Sequence, residues 1–199
     1  NFQNKNFIQS IQFFKKAVEI NPNRPDIYNN LSIALLQEKK LDEAIFFWDK
    51  ATSLNPNFAE AYFNKGNVYS NIKNYPKAIE NFNQAIRIKN DYKEAYNNLG
   101  SLYAELKEFK KAIEIFEKGL LIKPINVNEY NNLGNVYYEF KQFNTAIENY
   151  NKALKIKPDF ALSYYNRAKA LQEINQKQEA ISDYDLSLIH ISEPTRPYL

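Results

Sequence analysis

The chain has 199 residues, 44% hydrophobic and 25% charged, which is enough apolar material for a substantial core. A net charge of +3 is too small by itself to imply nucleic acid or an anionic membrane surface as partner. Cysteine is absent, which removes disulfides and thiolate metal sites, and no apolar run nears the ~20 residues that a membrane span requires.

From the N-terminus, residues 1–24 place Phe7, Ile11, Phe14 and Val18 at helical spacing before Asn21-Pro22-Asn23 stops the helix. This stretch reads as the second helix of a truncated two-helix repeat. These residues show no signal-peptide pattern. The chain opens at Asn1 and holds no methionine, so a longer natural N-terminus is expected, and the location is expected to be cytoplasmic.

From Pro25 onward the chain repeats every 34 residues, in units 25–58, 59–92, 93–126 and 127–160 and a partial unit 161–185. Position 4 of each unit is Tyr28, Tyr62, Tyr96, Tyr130 and Tyr164, and position 8 is Ser32, Gly66, Gly100, Gly134 and Ala168. Position 20 is Ala44, Ala78, Ala112, Ala146 and Ala180. Position 24 is always a ring: Trp48, Phe82, Phe116, Tyr150 and Tyr184. Position 27 is small again, from Ala51 through Gly119 to Ser187, and position 32 is Pro56, Asn90, Pro124, Pro158 and Ser192.

Positions 4, 7, 8 and 11 share one face of a first helix, and 20, 24 and 27 share one face of a second. Small residues let the two backbones approach, and the rings fill the space around them. Each unit is therefore expected to be a helix hairpin. Its inner turn carries Lys39, Lys73, Lys107 or Lys141 where a left-handed C-cap would favour glycine, at a cost of about 1 kcal/mol. Pro76 falls in the first turn of a second helix, where a missing N–H is no loss.

This small-small-aromatic spacing on a 34-residue period resembles the tetratricopeptide repeat, from residue 1 to about 185. The resemblance implies an all-α, right-handed superhelical solenoid of helix-turn-helix repeats acting as a protein-interaction scaffold. Departures are Lys65 and Arg167 at position 7, Lys177 at position 17 and Asn90 at position 32. Residues 186–199 read like the conceptual translation of a sequencing-library adapter. They are expected to be an artefact or a linker and carry no functional weight here.

The parts of an enzyme are missing from the sequence. The single histidine, His190, lies in the suspect tail, so metal clusters and histidine-based triads have no candidate. Four glycines sit inside helical patterns and form no phosphate-cradling loop. Neither a catalytic residue nor a cofactor is expected. The rings fall mostly on packing positions, so they read as core rather than as platforms for stacking bases.

What remains is the opposite face of each first helix. At ~100° per residue, positions 2, 6, 9 and 13 point away from the core stripe. In the family these positions line a concave groove. Position 6 is asparagine throughout: Asn30, Asn64, Asn98, Asn132 and Asn166. A primary amide donates and accepts, so a row of them suits pairing with an extended peptide backbone, with Asn67, Ser101 and Asn135 beside them at position 9. The row resembles the asparagine ladder in the repeat region of protein O-linked N-acetylglucosamine transferases. Six acids, Asp26, Glu60, Glu94, Glu105, Glu139 and Glu173, share this face with one cation, Lys169.

An acidic wall selects a neutral or basic segment and disfavours nucleic acid, which needs a basic track. It also lacks the cations of the two-carboxylate clamp by which some tetratricopeptide domains grip acidic tails. The sequence thus predicts a scaffold binding a neutral or basic protein or peptide, without membrane attachment. The alternative is the substrate-recruiting arm of a larger enzyme, similar to an O-linked glycosyltransferase. Solenoid ends need polar capping units, so self-association through uncapped ends is a further expectation.

Overall fold

The computed structural model describes residues 2–123 and 125–192. Pro124 and residues 193–199 of the tail, which bear on two of the expectations above, lie outside the described residues. Among the described residues there are helices and no strand, in the order α1 (Phe2–Ile20), α2 (Pro25–Gln37), α3 (Leu41–Leu54), α4 (Ala59–Asn71), α5 (Tyr75–Ile88), α6 (Lys93–Glu105), α7 (Phe109–Leu120), α8 (Val127–Glu139), α9 (Phe143–Ile156), α10 (Ala161–Glu173) and α11 (Lys177–Ser192). The chain divides into two compact units, Asn1–Ala95 and Tyr96–Leu199.

In the first unit α2 packs on α3 and α4 on α5, with α1 against α2 and α3 against α4. Its core collects Ile11, Tyr28, Leu31, Leu35 and Trp48, around the small residues Ala44, Ala51 and Ala61. In the second unit α8 packs on α9 and α10 on α11, while α7 meets α8 and α9 meets α10. Here Phe116, Leu133 and Val136 form one cluster and Tyr150 is 1% exposed in the next.

Close approach explains the small residues. A Cβ added at Gly100 would sit 2.9 Å from the Phe116 ring, and one at Gly134 would sit 2.5 Å from the Tyr150 ring. At Gly66, Gly100 and Gly134 the position-24 ring thus sits against the backbone of its own first helix, closer than a Cβ there would allow without displacement. Buried Ala112 and Ala146, both fully enclosed, do the same for the second helix.

The hairpin turns share one backbone solution. Lys39, Lys73, Lys107 and Lys141 have φ between 59° and 60°, and Asn175 joins them in the last unit at 62°. The following amide then reaches five residues back, as in Lys40 N–H to Leu35 C=O at 3.0 Å and Glu108 N–H to Tyr103 C=O at 2.9 Å. A second bond, Lys39 N–H to Leu36 C=O at 3.0 Å, completes a Schellman C-cap. Two carbonyls otherwise orphaned at the helix end are satisfied, which offsets the cost of left-handed lysine.

The two position-7 cations keep regular hairpins because each finds a partner. Lys65 Nζ meets Asp49 at 2.6 Å, with only 11% of the lysine side chain exposed. Arg167 donates from Nε and Nη2 to the two Asp183 oxygens at 2.6 Å each. It also bonds Asn151 at 2.5 Å and lies over the Tyr164 ring. Helix α11 runs on to Ser192, with Ser187 buried and His190 stacked on Tyr164 at 5.6 Å between ring centroids.

Candidate functional site

The fold divides the row of position-6 asparagines between the two units. Asn30 and Asn64 belong to the first, Asn98, Asn132 and Asn166 to the second. Asn30 is exposed and the other four are half-buried. Two of them are braced from beneath. Asn64 Nδ2 donates to Asn29 Oδ1 at 3.1 Å, and Asn166 Nδ2 donates to Asn131 Oδ1 at 3.2 Å.

Asn29 and Asn131 are each 2% exposed and occupy position 5 one repeat earlier. Neither stands alone. Asn29 Oδ1 also accepts from the Trp48 indole N–H at 2.9 Å, and Asn131 Oδ1 accepts from the Ser163 hydroxyl at 3.0 Å. Sequence reasoning passed over both, because in an asparagine-rich chain nothing marks a buried amide until its partners are seen. Each brace uses one N–H of the outer amide and leaves its second N–H and its oxygen for other partners.

The acids of this face are mostly exposed: Glu60, Glu94, Glu105, Glu139 and Glu173. Asp26 differs, since Arg24 grips both its oxygens at 2.9 and 2.7 Å. That hydrogen bonding holds the Asp26 carboxyl below the usual carboxylate range and matches its charge locally. In the first unit Glu60 and Glu94 act on Tyr92, whose hydroxyl is pushed up to about 12 by burial and then by these two carboxylates. Tyr92 also packs on Phe63, with ring centroids 4.9 Å apart.

Two of the cavities on the second unit are lined by residues of the first-helix face. One, of about 160 Å³, has Phe116, Ala104 and Val136 as floor and wall and Ser101, Asn132, Asn135 and Glu139 as rim. The other, of about 230 Å³, is lined by Asn135, Tyr138, Glu139, Tyr150, Asn166 and Lys169. Five of their lining positions correspond one repeat apart, and Glu139 lines both. Phe116 corresponds to Tyr150, Ala104 to Tyr138, Ser101 to Asn135, Asn132 to Asn166 and Asn135 to Lys169.

Their chemistry differs. In the larger cavity the Tyr150 hydroxyl donates to Asn135 Oδ1 at 2.8 Å. Burial, with Tyr138 and Glu139 nearby, pushes that hydroxyl's pKa up, so it remains a donor. Lys169 lies 4.8 Å from the centroid of the Tyr138 ring, and the Tyr138 hydroxyl donates to Glu173 at 3.4 Å. The cation of this face is therefore already seated on a ring beside acids.

Of the expected site residues, the structure gathers Ser101, Asn132, Asn135 and Glu139 around one cavity and Asn135, Glu139 and Asn166 around the other. Glu60 and Glu94 converge on Tyr92 in the first unit. Asn67 is half-buried on α4 in that same unit, and Glu105 is exposed at the end of α6 in the second. Among the described residues no group of three His, Cys, Asp or Glu is placed to hold a metal ion, and no helix is long and apolar enough to cross a membrane.

Models of the TPR repeat match residues 33–73 and 134–175, and models of the tetratricopeptide repeat match 59–92, 1–24, 93–126 and 13–46. No curated protein matches the chain. Among solved structures, MamA is similar over 82% of this chain and 96% of its own, at 25% identity and a TM-score of 0.76. YrrB, described as a TPR protein with an unusual peptide-binding site, is similar over 89% of this chain and 91% of its own, at 22% identity and a TM-score of 0.73. The C-terminal part of a TPR repeat-containing protein from Cytophaga hutchinsonii is similar over 97% of this chain and 77% of its own, at 24% identity and a TM-score of 0.81. With the repeat models and the paired helices in agreement, the fold is an all-α solenoid of helix-turn-helix repeats, and the chain belongs to the tetratricopeptide repeat family.

Proposed function

We propose that this protein is a non-enzymatic interaction scaffold that binds an extended, neutral or basic segment of a partner on the first-helix face of the repeats within a unit. The observation that carries this reading is the bracing of Asn64 and Asn166 by buried Asn29 and Asn131. An amide fixed in place before a ligand arrives loses little side-chain freedom on binding. It then offers one N–H and one carbonyl to a peptide unit, without reading the ligand's side chains.

Asn30, Asn98 and Asn132 repeat the same position, and Asn67, Ser101 and Asn135 extend the polar surface beside them. The exposed Glu60 and Glu94 in the first unit, and Glu105, Glu139 and Glu173 in the second, give each a negative field on this face, which raises the encounter rate with basic segments and repels acidic ones and nucleic acid. YrrB, with its peptide-binding site on the same fold, supports the class of ligand.

Titration with lysine-bearing and glutamate-bearing dodecapeptides of otherwise equal sequence tests this. Tighter binding of the lysine series, weakening with salt, is expected. Equal affinity, or preference for the glutamate series at low salt, overturns the charge reading. Replacing Asn30, Asn98 and Asn132 together by alanine should weaken both series while the helical circular dichroism is retained, and unchanged affinity would remove the amide row from the site.

A further inference from the structure

Phe116 floors one of two cavities with corresponding lining positions one repeat apart, and the differences between the two point to what the first one takes. In the second cavity, ring and wall are Tyr150 and Tyr138, and the chain supplies its own cation, Lys169, over the Tyr138 ring at 4.8 Å. In the first, the wall residue shrinks to Ala104, and neutral Asn135 stands where Lys169 stands one repeat later. The first cavity thus keeps an apolar floor and an acid at its rim, but neither the bulky wall nor the resident cation.

We propose that this cavity is a subsite for one lysine or arginine side chain of the partner. The aliphatic stem lies on Phe116, Ala104 and Val136, and the charged end meets Glu139 at the rim. Long basic side chains are suited to such a place, because the stem covers apolar surface while the head stays near water and an acid. A wholly apolar side chain would set an apolar end against the Glu139 carboxylate and the Asn132 amide, and an acidic one would meet Glu139 with like charge. Gly100 contributes by letting the Phe116 ring lie close to α6, where a Cβ would stand 2.9 Å from the ring.

The subsite also sets a register. A partner residue that reaches the second cavity meets Lys169, which disfavours another cation there. One basic residue at one position of the ligand should matter, and its neighbours much less.

The amide-row reading is needed for the peptide arm of the test, and a small-molecule arm stands without it. Using the whole chain, n-butylguanidinium and its neutral analogue n-butylurea are titrated while the methyl resonances of Ala104 and Val136 are followed. Saturable shifts with butylguanidinium are expected, with affinity falling about fivefold in Glu139→Gln, as for an exposed ion pair near 1 kcal/mol. The Val136 shifts should vanish in Ala104→Tyr, a substitution the fold already carries as Tyr138 one repeat later. Absence of shifts, or equal affinity for butylurea, overturns the subsite.

In the peptide arm, a neutral octapeptide is compared with versions carrying lysine at each successive position. A gain at one position that disappears in Ala104→Tyr supports the proposal, and a flat scan over a parent that binds overturns the subsite while the amide row stands. Butylguanidinium shifts without any peptide binding would instead uphold the subsite and remove the amide row.

Discussion

Asn64 reaches back across a repeat boundary and donates to Asn29 at 3.1 Å, and three repeat lengths later Asn166 does the same to Asn131 at 3.2 Å. The acceptor oxygen of Asn29 is shared with the Trp48 indole N–H, so one amide ties together two helices of its own unit and the first helix of the next. Asn29→Ala is expected to cost about 1–3 kcal/mol, because it leaves a buried indole donor unmade. Urea unfolding followed by the emission of Trp48, the single tryptophan, measures this. Asn30→Ala, one residue away and exposed, should change stability by about 0.5 kcal/mol or less.

Arg167 and Asp183 give a second prediction. Asp183 has 6% of its side chain exposed, so removing the guanidinium strands a buried carboxylate. Arg167→Leu, which copies Leu99 and Leu133 at the same position, is expected to destabilise by about 3–5 kcal/mol. Adding Asp183→Asn should recover most of that loss. Asparagine already stands there in two other units, where Asn81 and Asn149 donate to the carbonyls of Lys77 and Thr145 at 2.7 and 2.8 Å. A double-mutant cycle on thermal unfolding with no coupling between the two sites would contradict the pairing.

The left-handed lysines give a third. Lys107→Gly removes the Cβ penalty at a φ of 59° and should stabilise by roughly 0.5–1 kcal/mol. Lys110→Gly, in the first turn of α7, should destabilise by up to about 1 kcal/mol. The same residue change three places apart therefore carries opposite sign, which denaturant midpoints resolve directly.

Tyr92 supplies a pH dependence. Its hydroxyl titrates near 12 in the folded chain against 10.0 for an ordinary tyrosine, raised by burial and then by Glu60 and Glu94. Between these values the unfolded chain releases the proton while the folded chain keeps it. The stability contribution is intact below about pH 10 and is lost as pH rises toward 12. Absorbance titration of tyrosinate should show a late-titrating component that moves to lower pH in Glu94→Gln.

The hairpin architecture was legible in the sequence because steric fit repeats with the chain. Gly100 against Phe116 and Gly134 against Tyr150 recur at one spacing. The lysine turns were legible for the same reason. The position-7 cations were not, since Lys65 pairs with Asp49 and Arg167 with Asp183, each 16 residues away, and helix stacking decides which acid is nearest. On the first-helix face the residue types were visible beforehand. The bracing from position 5 and the difference between the two cavities were hidden, because both depend on side-chain size one repeat away.

The bonds Asn64 to Asn29, Tyr138 to Glu173 and Asn166 to Asn131 each span 35 residues, one repeat and a single step more. Contacts of that reach ask little of the emerging chain. A hairpin on the ribosome needs only the next one to appear before its outer surface is covered, and no strand end must wait for a distant partner. Within each unit, synthesis and folding can then advance in the same increments, one hairpin at a time.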